Sequence, residues 1–99
     1  RKNIIGFGAS GRGTTFLNYC GISKKYIKYI VDASPLRAGK YMPGLKIPIY
    51  NIDYLKKNAH KIDYILIIAW NYQNSIIKQV KKINKDIKFI IPFPYPNIL

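Results

Sequence analysis

The sequence predicts an α/β fold, a three-layer domain built on a mainly parallel sheet of about five strands. Three observations lead there. Short apolar runs alternate with helically periodic segments along nearly the whole chain. One of these runs, Tyr64-Ile65-Leu66-Ile67-Ile68-Ala69, carries no charge, the pattern of a parallel strand covered on both faces. A glycine-rich turn joins the first apolar run to the first helical segment.

Asn3-Ile4-Ile5-Gly6-Phe7 reads as a buried first strand ending in glycines. Residues 14–19 read as a helix that begins near Gly13 or Thr14 and ends at Gly21. Residues 26–31 form a second strand, with Asp32 at its end. Two prolines and two glycines between residues 33 and 44 predict a loop with defined turns. Ile47-Pro48-Ile49 is a short strand whose proline places it at a sheet edge. Residues 51–58 should be helical, with Asn51 as N-cap. Residues 63–69 are the central strand. Between residues 72 and 83 the apolar positions Ile76, Ile77, Val80 and Ile83 recur at helical spacing, with Lys78, Lys81 and Lys82 between them. Residues 88–91 are the last strand, and Pro92, Pro94 and Pro96 are expected to stop further structure. The order is therefore β-α-β-loop-β-α-β-α-β, which implies right-handed crossovers.

The 99 residues suffice for one domain, and 48% are hydrophobic, the proportion of an ordinary globular core. No apolar run approaches the ~20 residues of a membrane-spanning helix. The chain opens on Arg1 and passes almost directly into a strand, so neither a signal nor a transit sequence is expected. It is read as a domain excised from a larger multidomain protein. Seventeen basic residues stand against four aspartates, a net charge of +13 that raises nucleic acid or an anionic membrane as partners. The lysines are spread over helix faces rather than gathered in one block. Lysine, isoleucine, asparagine and tyrosine are also jointly abundant, as an AT-rich coding sequence would make them. A solvated basic surface is the reading that follows, with neither membrane nor nucleic acid as the expected partner. Cys20 is the only cysteine, so no disulfide or cysteine zinc site forms within the chain, which suits a reducing cytoplasm.

Ligands of parallel α/β sheets bind beyond the carboxyl ends of the strands, so the loops after the first, second and central strands carry the candidate site. After the first strand, Gly6-Phe7-Gly8-Ala9-Ser10-Gly11-Arg12-Gly13 fits G-x-G-x-x-G in its proper strand-to-helix context, and marks the domain as Rossmann-like. Backbone N–H groups of Gly8, Ala9, Ser10, Gly11 and Gly13 can approach an anion there. Ser10, Thr14 and Thr15 add hydroxyl donors, and Arg12 a forked guanidinium. The bland alternative is a turn kept for close strand–helix packing. Asp32 either binds ribose hydroxyls of a dinucleotide such as NAD, or caps its own loop. A SAM pocket fits less well, because Lys2 and Asn3 stand where an acid would precede the glycine turn. Trp70, Asn71 and Tyr72 either stack on and hydrogen-bond a ligand, or close over the end of the core. His60 has no companion acid or thiol, and Cys20 reads as a small core residue, so no catalytic or metal-binding residue is assigned.

Taken together, these segments resemble the C-terminal domain of the sugar C-methyltransferase family, which includes nucleotide-sugar 3-C-methyltransferases. The resemblance rests on Gly6-Phe7-Gly8-Ala9, Arg12-Gly13, Leu17-Asn18-Tyr19-Cys20-Gly21-Ile22, and Val31-Asp32 with Ser34-Pro35. It continues through Gly39-Lys40-Tyr41, Pro43-Gly44, Ile47-Pro48-Ile49, Ile67-Ile68-Ala69-Trp70-Asn71-Tyr72 and Phe89-Ile90-Ile91-Pro92, collinear over nearly all of the chain. Gly11 departs from the pattern, since another small residue, commonly alanine, stands there in the family. The resemblance implies a three-part cytoplasmic enzyme with a zinc-binding N-terminal domain, a central SAM-binding domain and this one. Such enzymes methylate carbon on nucleotide-linked keto sugars destined for antibiotics, capsules and other surface polysaccharides. It implies further that this domain binds no cofactor itself, is inactive alone, contacts the SAM-binding domain and anchors the nucleotide-linked sugar. Diphosphate contacts would come from residues 8–15, and contacts to the rest of the ligand from Trp70, Asn71 and Tyr72. A dinucleotide-binding domain is the alternative from the residues themselves, and a basic nucleic-acid module a more distant one.

Overall fold

The apolar runs pair into one sheet in the computed structural model, which describes residues 2–8, 26–34, 36, 38–42, 46–69, 72–91, 97 and 98. Its strands are β1 (Ile4–Phe7), β2 (Ile30–Val31), β3 (Ile49–Tyr50), β4 (Tyr64–Ile67), β5 (Lys88–Ile91) and β6 (Asn97–Ile98). They lie in the order β3-β2-β1-β4-β5-β6. All neighbours are parallel except β5 and β6. The first helix predicted, over residues 14–19, lies outside the described residues.

Side chains alternate across this sheet, and both faces are buried. Ile5, Phe7, Val31, Ile65, Ile67 and Phe89 meet Leu55 of α1 (Ile52–Asn58) and Ile76 and Val80 of α2 (Gln73–Lys81). On the opposite face Ile30, Ile49, Leu66 and Ile68 pack with Ile27, Met42 and Ile47. This two-sided burial is why residues 65–68 are apolar without a break, every one of them buried.

Local chemistry sets the helix limits. Asn51 Oδ1 accepts the Tyr54 N–H at 3.0 Å, closing the first turn of α1. Asp53 lies in that turn and Lys56 and Lys57 in the last, each favourable to the helix dipole. A 3-10 turn, Ala59–Lys61, follows, and Asn84 ties it to the end of α2 through a bond to the Ala59 carbonyl.

Three limits differ from the sequence expectation. The second strand is regular only over Ile30–Val31, although backbone bonds to β1 continue to Tyr29 and Lys28, and Tyr26 lies in an exposed turn. The third strand starts after Pro48 rather than at Ile47: Pro48 has no N–H to give, and its carbonyl accepts from Ile30 while it bridges Tyr41. The prolines near the carboxyl terminus do not end the sheet. Past Pro96 the chain regains N–H groups, and β6 returns antiparallel on β5.

Tyr29, Tyr50 and Tyr54 meet where β2, β3 and α1 come together. Tyr50 and Tyr54 stack at 4.0 Å, and Tyr29 stands edge-on to both, at 5.3 and 5.1 Å. Burial, reinforced by Tyr54 and Tyr50, pushes the Tyr29 hydroxyl up to about 12 from 10.0.

Two outcomes follow. Asn51→Ala should cost about 1 kcal/mol in urea denaturation, and Asn51→Asp much less. Above pH 10 the unfolded chain loses the Tyr29 proton while the folded one keeps it, so stability should fall from pH 10 toward 12. In Tyr29→Phe the urea midpoint should decline less over that window.

Candidate functional site

The connection leaving β1 runs to β2 on one side, and that leaving β4 runs to β5 on the other. The strand order thus reverses between β1 and β4, and the crevice beyond their carboxyl ends is where a Rossmann-like sheet takes its ligand. Gly8 and Ala69 form its floor. The Gly8 N–H donates to the Val31 carbonyl at 2.8 Å, and the Phe7 carbonyl accepts from Ile68 and Ala69 at 2.9 and 3.3 Å.

Gly8 has φ +99°, and a Cβ built there would lie 2.5 Å from the Ala69 Cβ and 2.9 Å from its nitrogen. Both the conformation and the space require glycine. The close approach here is to the end of β4, a strand–strand contact that the sequence reading, with its anion or strand–helix alternatives, did not name. Ala9, Ser10, Gly11, Arg12, Gly13, Thr14 and Thr15 lie outside the described residues, as do Trp70 and Asn71. Tyr72 is the third described member of the predicted set. It precedes α2, its N–H donates to the Ala69 carbonyl at 3.0 Å, and its side chain is 68% exposed. An exposed ring beyond the carboxyl end of β4 is available to a ligand and does not pack over the core.

Asp32 is buried at the carboxyl end of β2. Its Oδ1 accepts the Ser34 N–H at 2.8 Å, and Ser34 Oγ in turn accepts the Leu36 N–H at 3.3 Å. The carboxylate thus shapes its own loop as an Asx turn, the second of the two roles open to it from sequence. Asp32 and Gly8 end adjacent strands, so the structure brings together the ends of the predicted segments at Gly8, Asp32 and Tyr72.

His60 is exposed in the 3-10 turn, at the opposite end of the sheet. Among the described residues no group of three or more metal-ligating side chains occurs, and no helix is long and apolar enough to cross a membrane. A cleft of about 370 Å³ at the amino ends of the strands, walled by the three tyrosines, went unforeseen. Its residues lie far apart in sequence and meet only through the sheet register.

Comparison with known proteins decides the family. The profile of the C-methyltransferase C-terminal domain matches residues 1–94. The chain belongs to that family. It is 34% identical over 99 residues to the C-methyltransferase NovU of Streptomyces niveus, covering 99% of this chain and 23% of that protein. The domain thus spans about a quarter of the length of this relative. Among solved structures, UDP-D-quinovosamine 4-dehydrogenase from Vibrio fischeri superposes with a TM-score of 0.66 over 92% of this chain and 77% of its own. At 19% identity that likeness speaks for the Rossmann-type fold alone.

The Gly8 contact gives a paired test. Gly8→Ala should cost about 2–4 kcal/mol, from backbone strain together with collision against Ala69. Gly39 also has a positive φ, +85°, but open space around it. Gly39→Ala should therefore cost only about 1–2 kcal/mol. Equal losses in urea denaturation would show that packing at the crevice floor plays no part.

Proposed function

We propose that this C-methyltransferase domain anchors a nucleotide-linked keto sugar, and helps close the active site formed with an upstream SAM-binding domain. The observation that carries the reading is the crevice floor. Gly8 opens the glycine turn at the switch point, and exposed Tyr72 stands beyond the neighbouring strand. Donors from residues 8–15, Arg12 foremost, would hold the diphosphate, and Trp70, Asn71 and Tyr72 would contact the remainder of the ligand.

The domain's contribution is binding energy and orientation rather than proton transfer. SAM bound upstream would supply the methyl group, its S–CH3 bond breaking to release S-adenosylhomocysteine as the new C–C bond forms at a sugar carbon deprotonated beside the ketone by an upstream base. Zinc belongs likewise to upstream sequence. On this reading the domain works in the cytoplasm and serves the making of glycosylated antibiotics or surface polysaccharides. The dinucleotide alternative is weakened by Asp32, one of whose carboxylate oxygens already holds the Ser34 N–H.

In the full-length enzyme, Arg12→Ala should raise the KM for the nucleotide sugar roughly ten-fold, with a smaller change in kcat, because a charge-assisted contact to the bound diphosphate is lost. The 99-residue chain alone should transfer no methyl group from SAM to a nucleotide keto sugar. Turnover by the isolated chain would refute the accessory role. NMR shifts from NADH centred on Asp32, with none from dTDP, would favour a dinucleotide domain.

A further inference from the structure

Lysines that are scattered in the sequence are gathered by the fold. Each of the parallel strands is entered at its amino end past an exposed lysine: Lys46 before β3, Lys28 before β2, Lys2 before β1, Lys61 before β4, and Lys88 as the first residue of β5. Because the strands lie in the order β3-β2-β1-β4-β5, these residues form a row across the amino edge of the sheet. The register keeps the row close to level: Ile4 lies opposite Tyr64, Tyr64 opposite Lys88, and the Lys28 N–H donates to the Ile4 carbonyl. Four strand spacings make it about 20 Å long.

Helix ends do not explain this row. They account for Lys56, Lys57, Lys78 and Lys81, which stand in the last turns of α1 and α2 and widen the basic surface over one face of the sheet. The strand-entry lysines are additional to these. Asp63 and Asp86 stand at the same edge, but Asp63 already accepts the Asn3 N–H, and the positive charge remains in excess. Lys40, by contrast, lies alongside β3, its carbonyl accepting from Ile49 at 2.8 Å.

The basic residues described are all lysines, hydrated point charges that suit diffuse attraction to anionic headgroups better than the forked contacts arginine makes to a phosphodiester. Both described helices lie packed on the sheet through Leu55, Ile76 and Val80, so neither projects from the edge to enter a nucleic-acid groove. Tyr26 stands at the same edge and is 59% exposed, a ring with a polar tip of the kind favoured at headgroup level. We infer that the amino edge is the surface by which this domain lies on an anionic lipid membrane, peripherally, with the crevice at the carboxyl end turned away from the lipid and open to its ligand.

The test is co-sedimentation of the 99-residue chain with vesicles of phosphatidylcholine, either alone or mixed with phosphatidylglycerol. The chain should partition at least ten-fold more strongly onto the mixed vesicles, and leave them in high salt, where the charges are screened. Lys2→Glu and Lys88→Glu should each weaken partitioning by roughly ten- to thirty-fold. Lys40→Glu makes the same change in net charge away from the edge, and should weaken it by about three-fold or less. All three side chains are exposed, so the urea midpoint should stay near that of the parent chain and separate lost binding from lost folding. Three results would overturn the inference: equal partitioning onto both kinds of vesicle, or onto neither; Lys40→Glu as damaging as Lys88→Glu, which marks net charge rather than the edge; or a single-stranded oligonucleotide that displaces the chain from the mixed vesicles and loses affinity with Lys88→Glu, which makes the edge a nucleic-acid surface.

Discussion

The structure depends on the pairing of β1 with β4. These strands are distant in sequence, yet they align over four residues, from Ile4 opposite Tyr64 to Phe7 opposite Ile67. Of the described elements between them, β2 and β3 lie to one side of the pair, and α1 packs Leu55 on one face. The pairing fixes both ends of the sheet. At the carboxyl end it presses Gly8 on Ala69 and creates the switch-point crevice. At the amino end it places Asn3 beside Asp63, where the Asn3 N–H donates to the Asp63 carboxylate and the Asp63 N–H to the Asn3 carbonyl. Gly6, within β1, answers to the same constraint: a Cβ there would fall 2.7 Å from Ile68 Cδ1. β1 is thus glycine-poor in its core contacts at Ile5 and Phe7, and glycine where the other face comes closest.

The flanks are held by different means. β3 pairs over only two residues and would expose its outer backbone, but the preceding loop lies against it. Gly39 donates to the Ile49 carbonyl, Ile49 to the Lys40 carbonyl and Met42 to the Ile47 carbonyl. The loop also delivers Met42 and Ile47 to the second core face, so one segment both covers an edge and fills a layer. On the other flank β6 covers β5, antiparallel to it.

Much of this was legible in the sequence wherever the cause was local. The unbroken apolar run of β4, the Asn51 cap and the spacing of Ile76 and Val80 each carry their own explanation. What was not legible is relational. The ladders of β2 and the return of β6 on β5 rest on partners elsewhere in the sequence. At the site, the glycine at position 8 is explained by φ and close approach, backbone demands that only glycine meets. For Asp32 the sequence left a ribose or its own loop as partners, and the loop contact becomes visible only with the Ser34 N–H on Oδ1. Tyr29, Tyr50 and Tyr54 gave no periodic signal, because strand register and the position of α1 alone bring them together.

The two ends of a parallel sheet are electrostatically unlike, and this accounts for how the excess charge is distributed. Helices that follow strands begin at the carboxyl end, where their free N–H groups favour an anion, and finish at the amino end, where free carbonyls favour cations. The chain follows that rule: Lys56 and Lys57 stand in the last turn of α1, and Lys78 and Lys81 in the last turn of α2. Four of the seventeen basic residues are therefore matched to helix ends. Lys28 is different. It approaches β2 rather than ending α1 or α2, and it donates to an amide oxygen beside three tyrosines. Its ammonium is held by the Asn3 side-chain oxygen, and Asn3 is held in turn by the Lys61 carbonyl and the Asp63 carboxylate, so this lysine is placed by the β1–β4 pairing rather than by a helix end.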